Sequence, residues 1–544
     1  MKTRRLFTAL ICFFIFSGCA SLQQNRQAWL RDTISPERAW WDLLHYRLAI
    51  AFDPKAKTIK GSNEIQFKTI SAGKRMQIDL QQPLAITKVE YAGTELGFER
   101  EGDVYWVEFE QTLELGSEDK ITIYYEGKPK ESVNPPWVGG VTWGHDDLGQ
   151  DFIVTTSQGV GASIFWPNKD HMYDEPDQGM DILVTVPEKL VAVANGRLLN
   201  AEYDTEAHTC TYHWQVRSPI NNYGVNINIG NYVSFSETYA GRGGDLTVEY
   251  WVLAHQKAVA KQQFKEVPRM LEAFEYWFGP YPFYEDGYKL VAVSYAGMEH
   301  QSSVTYGNWF QNGYRGRDVS DTGVGYKFDF IIVHESGHEW FGNNITMSNP
   351  SDMWIHEGFT NYSENLFVEY WFGKEAAQDY VIGSRHNIVN DQPIIGKFSS
   401  AGSSRDIYYK TGNVLHTIRQ VVNDDELWRK VLNGLNREFY HQTVSTKQIE
   451  DYMIEKTGMI LAPIFDQYLR TVKVPIIKFR KDGAKLQYQY DHVIADFAMP
   501  LKVIVNGTPQ WLTPTAKRQT ITFDKPIMDF EIDRNFYVIA KQIN

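Results

Sequence analysis

Apolar and polar residues alternate along the first half of the chain and recur at helical spacing along much of the second. Tyr46-Arg47-Leu48-Ala49-Ile50-Ala51-Phe52 alternates and stops at Asp53-Pro54, a strand followed by a turn. The same period of two returns at residues 63–68, 120–125, 181–186 and 211–216. The pattern predicts one mainly β domain over 40–245. Beyond it, Val259, Phe264, Val267, Met270, Leu271 and Phe274 fall at helical spacing, with Pro268 placed to kink or split the run. The turn Phe278-Gly279-Pro280-Tyr281-Pro282 closes this stretch, a strand follows over 288–293, and helical patterns dominate from about 327 to 469. After Val474-Pro475 short alternating runs return, at 485–490 and 501–505. The reading is a multidomain α+β chain: a β domain at 40–245, a mainly helical domain at 246–475 and a small β domain at 476–544. There is no internal repeat of fixed period.

Composition supports this division and narrows the function. A chain of 544 residues exceeds one ordinary domain, and 43% hydrophobic with 14% aromatic residues supplies sizeable cores. The formal net charge of -13 argues against a nucleic-acid partner, whose phosphates require a basic face. Cys12 and Cys19 lie at the extreme N-terminus, which leaves Cys210 as a small residue expected inside a strand and predicts no disulfide framework.

The N-terminus reads as an export signal. Lys2, Arg4 and Arg5 precede an apolar run over 6–16, short of the about 20 residues a spanning helix needs. Ser17-Gly18-Cys19 resembles a bacterial lipobox, although Phe16 departs from the usual aliphatic residue. That resemblance implies a signal peptide over 1–19, a lipid on Cys19 as the membrane partner, and a polar tether over 20–39. Ala20 after the cysteine then implies a periplasm-facing site at the outer membrane of the cell envelope. The alternative is an ordinary signal peptide with an incidental cysteine.

His334-Glu335-Ser336-Gly337-His338 is an HExxH motif. Residues i and i+4 share a helix face, so two imidazoles one turn apart reach one ion with Glu335 beside them. The apolar run before it, residues 328–333, suits a buried helix better than one with two solvated histidines. A catalytic zinc takes three protein ligands and keeps a position for water. Glu357, separated from His338 by eighteen intervening residues and set in Trp354-Ile355-His356-Glu357-Gly358-Phe359, supplies the third. The expected cofactor is one zinc ion per chain.

These motifs together resemble the gluzincin aminopeptidases, the family of aminopeptidase N and leukotriene hydrolase. The resemblance covers residues 334–343 and 354–359, the turn at 278–282 and Asp174-Glu175-Pro176. It implies a saddle-like N-terminal β domain, a thermolysin-like catalytic domain and a C-terminal β-sandwich. It also implies hydrolysis of the N-terminal peptide bond of peptide substrates by a zinc-bound water, with Glu335 as general base. Gly297-Met298-Glu299-His300 resembles the family's exopeptidase motif. Gly297 and Met298 then join the substrate site, Glu299 binds the free amine, and His300 stands where the family has asparagine. In Asp406-Ile407-Tyr408-Tyr409-Lys410 the resemblance makes Tyr408 the oxyanion donor, with Thr411 in place of glycine. Gln158 matches a second substrate contact from the N-terminal domain. Glu364, two turns from Glu357, either orients a ligand or faces solvent. Many relatives continue into a long helical domain, so the short stretch after 475 predicts a more open cleft or one closed by another chain. Oligomeric state is not indicated. The other function classes are a different hydrolase on this scaffold, such as an epoxide hydrolase or an endopeptidase, and a non-catalytic binding protein.

Overall fold

The computed structural model describes residues 26–395 and 404–543. The signal and lipobox residues, Cys12 and Cys19 among them, lie outside the described residues. The chain forms two compact units, Met1–Tyr232 and Val233–Asn544.

The first unit is built around an eight-stranded sheet. Its central strand, Trp41–Asp53, pairs antiparallel with Thr58–Thr69, setting Tyr46 opposite Ile65. It runs parallel to Met180–Pro187 on its other side, with Tyr46 opposite Met180. The turn between the antiparallel pair is held by Asp53, whose carboxylate accepts the amides of Lys55 and Ala56, both at 3.0 Å. Tyr46, Leu48 and Ile50 are buried on one face, as the alternation requires. Cys210 is buried and unpaired in the strand Thr209–Val216.

The segment expected as a tether over 20–39 is packed structure from residue 26 onward. Residues 26–32 are helical and Leu30 is fully buried. The reason is Arg38. Its buried guanidinium donates to the carbonyls of Leu30 (2.8 Å) and Thr33 (2.9 Å) and pairs with Asp79 Oδ2 at 2.7 Å. A buried arginine with every neighbour committed cannot be released without stranding its charge.

The second unit starts ahead of the expected boundary at 245/246. The strand Tyr232–Gly241 belongs to a five-stranded sheet with Gly244–Leu253, Tyr288–Ala292, Val304–Tyr306 and Gly297–Met298. The helical run after it divides at Phe264 into Lys257–Gln263 and α1 (Glu266–Phe278). Pro268 falls in the first turn of α1, where an amide has no intrahelical acceptor to lose. Three further helices carry the site: α2 (Phe330–Gly337), α3 (Trp354–Phe372) and α4 (Tyr409–Val422). The C-terminal strands make a four-stranded and a three-stranded sheet. Their inner residues, Ile477, Phe479 and Tyr490 among them, are continuous with the apolar core of the helices, so 476–543 packs as part of the second unit. No helix among the described residues is long and apolar enough to cross a membrane.

Candidate metal centre

The metal-binding helix is fixed at its start. Asp329 caps α2 by accepting the amide of Ile332 at 3.3 Å. The same carboxylate also accepts from Tyr306 Oη (2.7 Å), Asn308 Nδ2 (2.8 Å) and Gln263 Nε2 (2.8 Å). Burial pushes its pKa up to about 6 even against those donors. Phe330, Ile331, Ile332 and Val333 are buried, as the apolar run predicts.

Small residues let the helices approach. A Cβ on Gly337 would lie 2.4 Å from Ser363 Oγ of α3, and one on Gly358 would lie 2.2 Å from Thr411 Cγ2 of α4. Thr411, where the resemblance has glycine, therefore fills the space left open by Gly358, next to Glu357.

His334, His338 and Glu357 converge. Glu357 Oε2 lies 3.4 Å from His338 Nε2 and 3.7 Å from His334 Nε2, and all three groups are buried. Zinc holds nitrogen and oxygen at about 2.0–2.2 Å, so neighbouring ligands of a tetrahedral ion sit about 3.4 Å apart. The donor set, the separations and a Glu357 Oε2 without a hydrogen-bond partner all fit a zinc ion. Burial alone would raise Glu357, but the imidazoles of His338 and His334 hold it well below the usual carboxylate range. Burial opposes charge on His334, yet Glu357 and Glu364 raise its pKa well above the ordinary value. Four buried carboxyl groups, of Glu299, Glu335, Glu357 and Glu364, gather around the two imidazoles, a setting that suits a dication.

The outer ring nitrogens are also fixed. His338 Nδ1 donates to the Phe341 carbonyl at 3.0 Å, with Thr360 Oγ1 at 3.1 Å. His334 Nδ1 lies 2.7 Å from Glu364 Oε1. Glu364 in turn accepts from Tyr380 Oη (2.7 Å) and Asn361 Nδ2 (3.1 Å). Both arrangements turn Nε2 toward the ion. Of the two expectations for Glu364, the orienting one describes this geometry: it is fully buried, not solvated. Glu364→Ala is expected to weaken zinc binding by about 10–100-fold, read by competition against a chelating dye. An unchanged affinity would show that Glu364 does not set the His334 ring.

Glu335 is buried beside the ligands. Burial pushes its pKa up to about 7, the two histidines pulling down and Glu299 and Glu357 pushing up. Glu299 is also buried, and its carboxylate, Glu335 and His338 offer atoms all within 4.8 Å of one another. The strand Gly297–Met298 brings Glu299 there. A Cβ on Gly297 would stand 2.7 Å from Ile331 Cγ2 and 2.9 Å from Glu335 Cγ, so glycine is what allows the strand against α2. Asn343 Nδ2 holds the Glu299 carbonyl at 2.8 Å and bonds Glu339 Oε1 at 3.0 Å. Glu339 also accepts from Tyr281 Oη (2.6 Å) and the Ser302 amide (3.1 Å). The turn at 278–282, the metal motif and the Glu299 strand are thereby one hydrogen-bonded body. His300 is buried and neutral, its pKa pushed down to about 3 by burial, with Nδ1 at 3.2 Å from Thr305 Oγ1.

Tyr408 precedes α4 with a non-helical backbone, and its hydroxyl donates to Glu357 Oε1 at 3.0 Å. Burial holds the phenol well above its ordinary pKa, so it remains a donor. Gln158 lies in the first unit, in the turn that follows the strand Asp151–Thr156. Sequence reasoning did not single out Asp329 or Glu339. Asp329 lies inside the apolar run at 328–333 and Glu339 inside the match at 334–343, but their donors come from other segments.

An HExxH helix joined to a glutamate on a second helix defines a gluzincin metal site, and comparison with known proteins agrees. The model described as Peptidase family M1 domain matches residues 262–468. The matched stretch contains α2 and α3 and so His334, His338 and Glu357. A leucyl aminopeptidase of Saccharolobus solfataricus is 19% identical over 484 residues, covering 83% of this chain and 58% of that protein. Aminopeptidase B of Mus musculus is 24% identical over 348 residues, covering 59% and 49%. The chain spans about half the length of such curated relatives. An M1 zinc metallopeptidase from Deinococcus radiodurans shares the fold with a TM-score of 0.69 at 20% identity, over 82% of this chain and 97% of that one. A two-domain M1 zinc metallopeptidase crystallised with L-tryptophan gives 0.70 at 20% identity, over 82% and 98%.

Proposed function

We propose that the protein is a zinc-dependent aminopeptidase that removes the first residue of peptides. The observation that carries this reading is the buried carboxylate of Glu299 within 4.8 Å of Glu335 and His338. Two buried carboxylates so close repel one another, and a substrate α-ammonium relieves that repulsion while fixing the N-terminal residue at the metal. Zinc held by His334, His338 and Glu357 would polarise the scissile carbonyl and activate the attacking water. Glu335 takes the proton of that water and passes it to the leaving amine, a task suited to a carboxyl with a pKa near neutrality. Tyr408 donates to the oxygen on which charge develops, its phenol being kept protonated by burial. Gly297 and Met298 present the backbone edge beside the amine site.

A panel of aminoacyl-anilides, free and N-acetylated, run on protein of measured zinc content, tests the assignment. We expect turnover of free-amine substrates only, with one zinc per chain. Equal turnover of the acetylated series would replace the aminopeptidase reading with an endopeptidase one. Stoichiometric zinc without turnover of any substrate would leave a binding protein.

A further inference from the structure

The helical stretch at residues 26–32 carries a surface that the metal site does not use. Its inner side is clamped to the first unit. Leu30 packs with Val104 and Trp106 of the strand Val104–Leu113. Gln27 donates to the Glu101 carbonyl at 3.1 Å and accepts the Asp103 amide at 3.0 Å. A Cβ on Gly102 would lie 2.3 Å from Gln27 Oε1, so the turn between Phe98–Glu101 and Val104–Leu113 closes on this stretch only with glycine there. Together with the bonds from Arg38 to Leu30 and Thr33, these contacts make residues 26–34 part of the folded body.

The outer side shows apolar groups to solvent. Trp29 is 46% exposed and Ile34, just past the helical stretch, is 49% exposed. The Arg26 guanidinium lies over the Trp29 ring at 4.8 Å. Arg26 pairs with Glu101 at 3.0 Å and Arg31 with Asp32 at 2.9 Å, so two acids beside Trp29 are offset, although the chain's formal net charge is -13. This surface also lies next to the cysteine of the lipobox-like motif. Six residues separate Cys19 from Arg26. A chain of that length reaches at most about 25 Å, where a tether over the whole of 20–39 would have reached about 70 Å.

We propose that the surface formed by Trp29 and Ile34 rests on a phospholipid bilayer, to which a lipid on Cys19 ties it. An indole is apolar over its ring and polar at its N–H, so it settles at the level of the lipid headgroups. Two apolar side chains grip a bilayer weakly by themselves. A short tether supplies the rest, because it raises the effective concentration of the bilayer at this surface and keeps even a weak contact occupied. The protein is then docked in a fixed orientation instead of swinging on a leash. The inference rests on the lipobox reading of residues 17–19 and is independent of the aminopeptidase reading.

The test uses the full chain, expressed and processed in a bacterial host and reconstituted in vesicles of phosphatidylethanolamine and phosphatidylglycerol. A fluorophore is attached at Ile34→Cys or, as a control, at Leu199→Cys, an exposed position on the edge strand Arg197–Asp204. Cys210 is fully buried and should stay unlabelled. Lipids carrying a shallow nitroxide are expected to remove most of the emission at position 34 and little at position 199. Trp29→Ser, with its lipid intact, should bring quenching at 34 down to the level at 199. Equal quenching at the two positions in the protein with Trp29, or quenching at 34 that survives Trp29→Ser, would overturn the docking surface. A Cys19 shown by mass spectrometry to carry no acyl chain would overturn it too, with the aminopeptidase reading intact.

Discussion

Glu335→Gln is expected to lower kcat by about 10²–10⁴-fold, the range a positioned general base contributes, while the purified variant keeps its zinc. The amide replaces the carboxylate at nearly constant volume, so Ile331 and Gly297 keep their neighbour. What disappears is a group that can carry a proton. Burial sets that group near neutrality, about 7, against the pull of two imidazoles. A glutamate at its ordinary pKa would take the proton of a water less readily. Since Glu335 is outside the ligand set of His334, His338 and Glu357, zinc content should not change. Steady-state kinetics beside elemental analysis of the same sample decide the matter. Near-wild-type kcat in the zinc-loaded variant would remove Glu335 from the reaction.

Glu357→Ala is expected to abolish both stoichiometric zinc and turnover, a larger effect than the about 10–100-fold expected for Glu364, which touches the ion only through His334. The substitution takes away the one carboxylate whose oxygen faces both ligand imidazoles, at 3.4 and 3.7 Å. Two histidines remain, one ligand fewer than a catalytic zinc uses. Tyr408 also loses its acceptor at Glu357 Oε1. Glu357→Gln is the informative companion, because it keeps the shape and one oxygen while removing the charge. Full zinc occupancy in Glu357→Ala would mean that another group, such as Glu299, completes the site.

The two variants probe residues that were legible in the sequence to different depths. HExxH gave the first two ligands from local geometry alone, since helical spacing stacks i and i+4. Glu357 required a second helix whose register against the first is not local. That register depends on close contacts at Gly337 and Gly358, visible only once Ser363 and Thr411 are in place. Thr411 illustrates the difference. In the sequence it is a departure from a family pattern; in the structure it fills the gap beside Gly358.

Glu364 shows why the remainder was hidden. Helix α3 is buried continuously from Trp354 to Val368, polar side chains included. A helix packed on every side has no amphipathic stripe from which to read orientation, so its polar residues cannot be sorted into inward and outward. Packing decided that Glu364 meets His334 and Tyr380. The tether reading failed past residue 26 for a related reason: Arg38 reads as a solvated charge until Asp79 and the carbonyls of Leu30 and Thr33 are brought around it.

The sequence by itself pointed to the β, helical and β order of the chain and to the HExxH helix with His334, Glu335 and His338 on it, because periodicity and motif spacing are properties of neighbouring residues. The tertiary structure alone decided where the compact units divide and how Asp329 gathers Tyr306, Asn308 and Gln263 at the start of the metal-binding helix. Each of these joins segments far apart in the chain, and the burial and hydrogen bonding that fix them arise only when those segments meet.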